Sequence, residues 1–216
     1  MKRGAIFDMD GTLVDTEKLY RRAWIETADD FGVERKPDLA VAMSGSNFKK
    51  MPEILKRFYP DLNAEDYIMR VINTVKDTVA KNIEVKPGVE NILNYFLEKN
   101  IPMAIASSSE TFVIEERVQR LGWGKYFSVL IGGEQTSKGK PAPDIFLKAA
   151  EKLQLPPQDC YVFEDSFNGV RAGHAANCET IMVIDCVEPT EEIKSLCDGI
   201  YIDMNAALEN IKLGKI

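Results

Sequence analysis

The sequence predicts an α/β fold in which an all-helical segment interrupts a Rossmann-like parallel sheet. A short apolar stretch, Gly4–Phe7, comes first and is typical of a buried strand. Residues 16–82 show only helical periodicity. After residue 85, short apolar runs alternate with amphipathic helical patterns. Such alternation indicates βαβ units and a mostly parallel sheet that is covered on both faces.

The helical segment is predicted from three apolar stripes at helical spacing. The stripes are Tyr20, Trp24, Ala28 and Phe31, then Phe48, Met51, Leu55 and Phe58, then Ile68, Val71, Val75 and Val79. Pro87-Gly88 marks the return to alternating strands and helices. The sequence therefore predicts a discontinuous α/β domain, residues 1–14 and 85–216, and a helical domain, residues 15–84.

The second part of the chain is predicted to contain five further strands and six helices. The predicted strands are 102–106, 129–131, 161–163, 180–184 and 199–202, and the predicted helices are 89–99, 112–121, 144–153, 169–176, 191–196 and 206–212. The first strand belongs with this set, because the helical segment offers no strand for it to pair with. In open α/β sheets ligands bind beyond the carboxyl ends of the strands, so those ends are the place to look for a site.

Composition limits the classes of function. The chain has 216 residues, of which 45% are hydrophobic, and a formal net charge of -7. This balance argues against binding of nucleic acid or anionic membranes, because phosphate groups attract basic patches. No apolar run approaches membrane-spanning length, and the N-terminus lacks a signal-peptide pattern. The four cysteines are scattered, which suits a reducing compartment, and we expect a cytoplasmic monomer.

Charged and hydroxyl side chains follow four of the predicted strands. They are Asp8 and Asp10 after the first strand, Ser107, Ser108 and Ser109 after the second, Lys140 in the loop after the third, and Glu164 and Asp165 after the fourth. The carboxyl ends of parallel strands meet at one edge of a sheet, so we expect these side chains to lie together. Carboxylates this close repel one another and are costly to bury unless a cation is present. The pattern therefore predicts a metal site.

This set of side chains is suited to moving a phosphoryl group. A phosphate monoester is a dianion, so Mg²⁺ and a lysine are needed to neutralise its repulsion from an attacking carboxylate. Mg²⁺ prefers oxygen ligands, and hydroxyl and backbone N–H groups can hold the remaining phosphate oxygens. One aspartate can attack without first losing a proton, and a second can protonate the leaving alcohol and later activate water.

Four motifs resemble those of the haloacid dehalogenase superfamily. They are Asp8-Met9-Asp10-Gly11-Thr12, then Ser107, then Lys140 within Gly-Lys-Pro-Ala-Pro-Asp, then Glu164-Asp165-Ser166 followed by Asn168-Gly169-Val170. Their order and spacing match over essentially the whole chain. The nearest resemblance is to the β-phosphoglucomutase-like phosphatase group, whose fold is a Rossmann-like core with an inserted all-helical cap domain.

The resemblance implies a role for each motif residue. Asp8 would be the nucleophile that forms an aspartyl-phosphate, and Asp10 the general acid and base. Mg²⁺ would be held by the Asp8 side chain, the Asp10 carbonyl oxygen, Glu164 and Asp165. The phosphate would be held by Ser107, Ser108 and Lys140. The cap would close over the substrate, a small phosphate ester, through hinges near residues 15–16 and 82–85.

The helical domain is the part of the sequence that separates a phosphatase from a mutase. By resemblance, β-phosphoglucomutases carry a histidine and an arginine where this chain has Tyr20 and Phe48. A mutase must hold a second phosphate, for which arginine is well suited. We therefore predict a phosphatase acting on a sugar phosphate, with a hexose-phosphate mutase as the alternative. The predicted substrate contacts of the cap are Tyr20, Trp24, Gly45, Ser46 and Asn47.

A remote alternative is a phospho-acceptor signalling module. Two-component receiver domains also place an acidic cluster, a hydroxyl and a lysine around a phosphorylated aspartate on a parallel sheet. The order of these residues differs here, and receivers lack a helical insert of this size. This alternative ranks below both enzymes.

Overall fold

The structure, a computed structural model, describes residues 1–43, 50–81 and 83–216. The chain divides into two compact units. One consists of Met1–Val14 together with Val85–Ile216, and the other of Asp15–Glu84. We call them the core unit and the helical unit.

The core unit is built on a six-stranded parallel sheet. Its strands are β1 (Gly4–Phe7), β2 (Met103–Ala106), β3 (Phe127–Ile131), β4 (Cys160–Glu164), β5 (Glu179–Val183) and β6 (Gly199–Tyr201). Their order across the sheet is β3-β2-β1-β4-β5-β6. All neighbouring strands are parallel. The first strand of the chain therefore lies in the middle of the sheet, between β2 and β4.

Helices cover both faces of this sheet. They are α5 (Val89–Glu98), α6 (Thr111–Arg120), α7 (Asp144–Lys152), α8 (Phe167–Ala175), α9 (Glu191–Leu196) and α10 (Met204–Lys212). Ile6 of β1 faces a buried cluster that includes Phe146 of α7. The next residue, Phe7, points to the other face, where its ring lies 6.3 Å from that of Phe96 of α5. This alternation along a strand confirms the predicted doubly covered α/β fold.

The helical unit contains α1 (Glu17–Asp30), α2 (Pro37–Met43), α3 (Met51–Phe58) and α4 (Ala64–Lys81). None of its described residues lies in a strand. It has a hydrophobic core of its own, in which the fully buried Tyr67 stacks on Trp24 with ring centroids 6.4 Å apart. The Tyr67 hydroxyl donates a hydrogen bond to the Trp24 carbonyl oxygen, so the phenol is satisfied inside this core.

One helix of this unit differs from the sequence prediction. The three predicted apolar stripes leave residues 37–43 without a helix, whereas these residues form α2, with Pro37 as its first residue. Proline is favoured at this position because its fixed φ suits the helix and the missing N–H would have no helical partner. The buried residues of α2 are Leu39, Ala40 and Met43, and a proline before so short a stripe equally indicates a connection.

Two backbone hydrogen bonds pair the segments that connect the units. Lys86 N–H donates to the Leu13 carbonyl oxygen (3.0 Å), and Asp15 N–H donates to that of Glu84 (2.9 Å). The predicted second hinge includes Asn82, which lies outside the described residues. Among the helices that the structure describes, none combines the length and apolarity needed to span a membrane.

Candidate active site

The central strands of the core unit bring the predicted acidic residues together. Phe7 is paired with Phe163 in the sheet, and Asp8 N–H extends the ladder by donating to the Phe163 carbonyl oxygen at 3.0 Å. Asp8 thus follows β1 directly, while Glu164 is the last residue of β4. The prediction placed Glu164 just beyond its strand. Its position within β4 explains why its side chain is completely buried.

Asp8, Glu164 and Asp165 form a cluster that can hold a metal ion. One carboxylate oxygen from each lies within 4.8 Å of the others. These are hard oxygen donors at a strand edge, the kind of ligand that Mg²⁺ binds in proteins. The Thr12 hydroxyl donates to an Asp165 carboxylate oxygen at 3.0 Å and helps to orient it.

Lys140 places a positive charge inside this cluster. Its Nζ lies 2.5 Å from Asp8 Oδ1 and 2.6 Å from Glu164 Oε1, and its side chain is only 6% exposed. It also donates to the Ala106 carbonyl oxygen at the end of β2 (3.3 Å). Burial alone would lower the pKa of Lys140, but the Asp8 and Glu164 carboxylates beside it raise that pKa above its usual value. The lysine is therefore charged.

Asp8 and Asp165 resist ionisation without a metal, because their pKa values are raised. Burial raises the pKa of Asp8 to about 8, and the charges of Glu164 and Asp10 also raise it, while Lys140 lowers it. Burial likewise raises the pKa of Asp165, with Glu164 and Asp8 adding to the shift. A bound cation would favour the ionised forms and reverse this effect. The donors, their burial and their mutual repulsion all fit a divalent ion.

Two glycines allow the carboxylates to approach the backbone. A Cβ on Gly169, near the start of α8, would overlap the Glu164 carboxyl group. Glu164 Oε2 accepts hydrogen bonds there from the N–H groups of Asp165 (3.0 Å) and Ser166 (2.9 Å). Gly11 has a φ of 85°, and a Cβ on it would overlap the Asp165 carboxylate. Glycine is thus required at both places by contact, and at Gly11 also by the backbone conformation.

The predicted phosphate-binding serines follow β2. Ser107 is buried, and its Oγ accepts a hydrogen bond from Ser109 N–H at 3.1 Å. Ser108 is exposed. Gly133 N–H, from the segment after β3, donates to the Ser109 carbonyl oxygen at 3.0 Å. A Cβ on Gly133 would lie 2.7 Å from the Ser108 carbonyl oxygen. The backbone at Gly133 therefore packs closely against the backbone of the serine loop.

Two of the contacts that the structure describes for Asp10 were not revealed by the sequence. Ser109 Oγ donates to Asp10 Oδ2 at 2.8 Å, and Arg117 Nη1 donates to Asp10 Oδ1 at 2.7 Å. Arg117 lies on the buried face of α6, between Ile114 and Val118. An arginine within that apolar stripe was the one available sign, since a buried guanidinium requires a partner.

The predicted substrate contacts of the helical unit meet different outcomes. Tyr20 is half-buried and packs against the core of that unit. Trp24 is buried within the same core and stacks on Tyr67, so its ring serves packing, and its predicted substrate contact stays a prediction. Gly45, Ser46 and Asn47 lie outside the described residues.

Comparison with known protein families identifies the family to which this chain belongs. A model of the haloacid dehalogenase-like hydrolases matches residues 5–183. The chain belongs to this family. The match begins inside β1 and extends to the last residue of β5, so it includes every motif residue of the core unit.

Two curated relatives of this haloacid dehalogenase-like hydrolase are named as phosphatases. The "phosphorylated carbohydrates phosphatase" of Thermotoga maritima is 35% identical over 177 residues, which are 82% of this chain and 82% of that protein. Fructose-1-phosphate phosphatase YqaB of Escherichia coli (strain K12) is 30% identical over 181 residues, 83% of this chain and 95% of that protein. Within the family, the chain is thus a phosphomonoester hydrolase.

A solved structure places the chain in a narrower group. The crystal structure of a candidate β-phosphoglucomutase from Thermotoga maritima has a TM-score of 0.82 and 30% identity, and the match covers 99% of both chains. The chain therefore belongs to the β-phosphoglucomutase-like group, and the resemblance drawn from the motifs is confirmed.

Proposed function

We propose that this protein is a Mg²⁺-dependent phosphatase that hydrolyses a sugar phosphate through an aspartyl-phosphate on Asp8. The observation that supports it most strongly is the buried Lys140, which contacts both Asp8 and Glu164. A cation fixed beside the attacking carboxylate offsets the repulsion between that carboxylate and an incoming phosphate dianion. Mg²⁺, held by Asp8, the Asp10 carbonyl oxygen, Glu164 and Asp165, would supply further charge neutralisation.

In the first step an Asp8 carboxylate oxygen attacks the phosphorus atom, and the bond from phosphorus to the sugar oxygen breaks. The Asp10 carboxyl group gives its proton to that oxygen, so a neutral alcohol leaves. Lys140 neutralises charge on the phosphoryl oxygens, and Ser107 and Ser108 hold them through the loop after β2. Asp10 is suited to this task because it lies two residues from the nucleophile in the same turn.

In the second step water attacks the phosphorus atom of the aspartyl-phosphate. The Asp10 carboxylate takes the proton from that water, and the bond from phosphorus to Asp8 breaks. Asp8 returns as a carboxylate and Asp10 in its protonated form. The net reaction is phosphate ester plus water giving alcohol plus inorganic phosphate.

A sugar phosphate is proposed because of the relatives. Two of them are named for phosphorylated carbohydrates and for fructose 1-phosphate, and a third of 32% identity is hexitol phosphatase A of Escherichia coli. We further propose that the helical unit selects the leaving group, with Tyr20 and residues 45–47 as its contacts. Tyr20→Ala is then expected to raise KM for a sugar phosphate. The inhibition constant Ki of inorganic phosphate, which lacks the sugar, is expected to stay unchanged.

A hexose-phosphate mutase is the second candidate, because the structural relative is described as a β-phosphoglucomutase. The two are separated by giving the enzyme a β-hexose 1-phosphate with a catalytic amount of the 1,6-bisphosphate. A mutase yields the 6-phosphate, whereas a phosphatase yields free hexose and inorganic phosphate.

The proposal is tested by a screen of sugar phosphates with Mg²⁺, in which released phosphate is measured. Asp8→Asn is expected to abolish turnover while Asp61→Asn, an exposed residue of the helical unit, leaves it intact. Turnover that survives in Asp8→Asn would remove Asp8 as the nucleophile. A wild-type enzyme that releases phosphate from no sugar phosphate would remove the proposed substrate class.

A further inference from the structure

Arg117 makes the least expected contact of the site. Its Nη1 lies 2.7 Å from Asp10 Oδ1, and its side chain is 10% exposed, against 27% for Asp10. Its neighbours on the buried face of α6, Ile114 and Val118, are apolar. Asp10 belongs to the turn after β1, so the contact joins two segments that are 107 residues apart.

This contact is poorly explained as a stabilising ion pair. A buried guanidinium loses its hydration, and replacing such a pair with apolar side chains often leaves a protein as stable or more so. An apolar residue would continue the stripe of Ile114 and Val118. A partly exposed ion pair adds little to the stability of the folded protein. The cost of burying the Arg117 guanidinium therefore points to a role that requires its charge and its geometry.

The arrangement fixes the direction of the Asp10 carboxylate. One Asp10 carboxylate oxygen accepts a hydrogen bond from Arg117, and the other accepts one from Ser109 Oγ at 2.8 Å. Rotation of the carboxylate group would break both hydrogen bonds. Both donors belong to the segment formed by the serine loop and α6. In the same loop Ser109 N–H donates to Ser107 Oγ at 3.1 Å. Asp10 is thus tied to the loop that would hold the phosphate.

We propose that Arg117 is a positioning residue that aligns the Asp10 carboxyl group with a phosphate held by the serine loop. The inference rests on the proposed function, because it takes Asp10 as the acid that protonates the leaving alcohol. Arg117 acts on the reaction only through Asp10, whose carboxyl group it contacts. Its backbone lies within helix α6, and its planar guanidinium donates in fixed directions, which a lysine reproduces only in part.

The inference makes the effect of Arg117 depend on the leaving group. An alkyl phosphate such as a hexose phosphate needs a proton on its leaving oxygen, whereas p-nitrophenolate leaves without one. The ratio kcat/KM reports formation of the aspartyl-phosphate for both substrates and excludes its later hydrolysis. A misaligned Asp10 therefore lowers kcat/KM for the hexose phosphate and hardly changes it for p-nitrophenyl phosphate.

The experiment compares Arg117→Met, which keeps the length of the side chain, with Arg117→Lys and Arg117→Ala. For Arg117→Met we expect a loss of kcat/KM on the hexose phosphate of about 10- to 100-fold, part of what general acid catalysis supplies. The loss on p-nitrophenyl phosphate is expected to stay below about 3-fold, and Arg117→Lys to recover part of the activity. Arg120→Ala is the matched control on the same helix and is expected to match wild type on both substrates.

A double variant tests whether Arg117 acts through Asp10. Once Asp10→Asn has removed the acid, adding Arg117→Met is expected to cause no further loss on the hexose phosphate. Additive losses, or equal losses on both substrates, would overturn the inference. Thermal unfolding of each variant identifies a misfolded Arg117→Ala, in which case Arg117→Met and Arg117→Lys carry the test.

Failure of the inference differs from failure of the proposed function. If wild type is inactive on both substrates, or if Asp10→Asn is as active as wild type on the hexose phosphate, the proposed function or the role of Asp10 is wrong, and the inference falls with it. If wild type is active and depends on Asp10 but the Arg117 variants treat both substrates alike, only the inference is wrong.

Discussion

The ammonium nitrogen of Lys140 lies 2.5 Å from a carboxylate oxygen of Asp8, and each side chain is more than nine-tenths buried. Two buried carboxylates, Asp8 and Glu164, share this one cation. Removing it leaves both without compensation, which is far more costly than losing a surface ion pair. Lys140 is therefore expected to matter for both stability and chemistry.

Lys140→Met is expected to destabilise the metal-free protein by about 3–5 kcal/mol, the usual cost of removing one partner from a buried pair. Its phosphatase activity is expected to fall by about 10²- to 10³-fold, as for the loss of a charge-stabilising donor. Urea unfolding and steady-state kinetics measure the two effects.

Lys138→Met provides the control, because Lys138 is an exposed lysine of the same loop. Excess Mg²⁺ is expected to restore part of the stability of Lys140→Met without restoring its activity. Recovery of full activity with Mg²⁺ would show that Lys140 only neutralises the charge of Asp8 and Glu164 and has no role in the reaction.

The stability gained from Mg²⁺ is expected to increase with pH. In the metal-free protein burial raises the pKa of Asp8 from 3.8 to about 8. The contribution of Asp8 to stability is therefore fully present below pH 3.8 and is lost as the pH rises to 8, because the folded state alone retains the proton. Mg²⁺ binds the ionised carboxylate and relieves this loss.

Thermal unfolding in excess Mg²⁺ and in EDTA measures this effect. At one fixed Mg²⁺ concentration, about 100 times the Kd at pH 8, the gain at pH 8 is about 2.7 kcal/mol. The shift in Tm at the same concentration is expected to be smaller at about pH 5, where the protonated carboxylate binds Mg²⁺ more weakly. Asp165→Asn is expected to reduce the shift at both. Equal shifts at the two pH values would contradict a carboxylate site with raised pKa.

Gly169→Ala tests the close approach of Glu164 to the start of α8. The added Cβ would overlap the Glu164 carboxyl group, which must then move. We expect a loss of about 1–3 kcal/mol in stability and a Mg²⁺ affinity about 10- to 100-fold weaker. Both are measured by unfolding and by Mg²⁺ titration of activity.

Gly124→Ala is the matched control, because nothing lies within 4 Å of a Cβ placed there. It is expected to leave the Mg²⁺ affinity as in wild type. A Gly169→Ala variant with unchanged affinity would show that Glu164 is not needed to hold the metal.

Thiol reactivity is expected to differ among the cysteines. Burial raises the pKa of Cys160 to about 11 and that of Cys178 to about 12, so both remain protonated thiols at neutral pH. Cys186 is only half-buried. Alkylation of the native protein, followed by mass spectrometry, is expected to label Cys186 first, and Cys160 and Cys178 only on unfolding. Equally fast labelling of all three in the native state would contradict the described packing.

Sequence alone predicted the central residues of the candidate site, because the carboxyl ends of parallel strands lie together at one edge of the sheet. Asp8 and Glu164 each stand at the end of an apolar run, and such runs end at the same edge of a parallel sheet. The same reasoning predicted the fold class and most element bounds within a few residues. It required no knowledge of side-chain contacts.

Contacts between a helix face and a distant turn were beyond this reasoning. Nothing in the spacing of Arg117 and Asp10 indicates that they meet, because their contact depends on how α6 packs against the sheet. The predicted role of Lys140 was also incomplete. Lys140 was expected to hold phosphate, and in the structure it contacts Asp8 and Glu164. Helix α2 was missed because its first residue is Pro37, and proline also marks turns and loops.

Trapping the phosphorylated enzyme tests the central claim most directly. Asp10→Asn, which lacks the base for the second step, is mixed with p-nitrophenyl phosphate and Mg²⁺, quenched in acid, digested and sequenced by mass spectrometry. The account predicts one phosphoryl group, located on Asp8 and absent from the Asp8→Asn, Asp10→Asn double variant. Wild-type turnover with no trapped phosphoenzyme, or with the phosphoryl group on another residue, would contradict it.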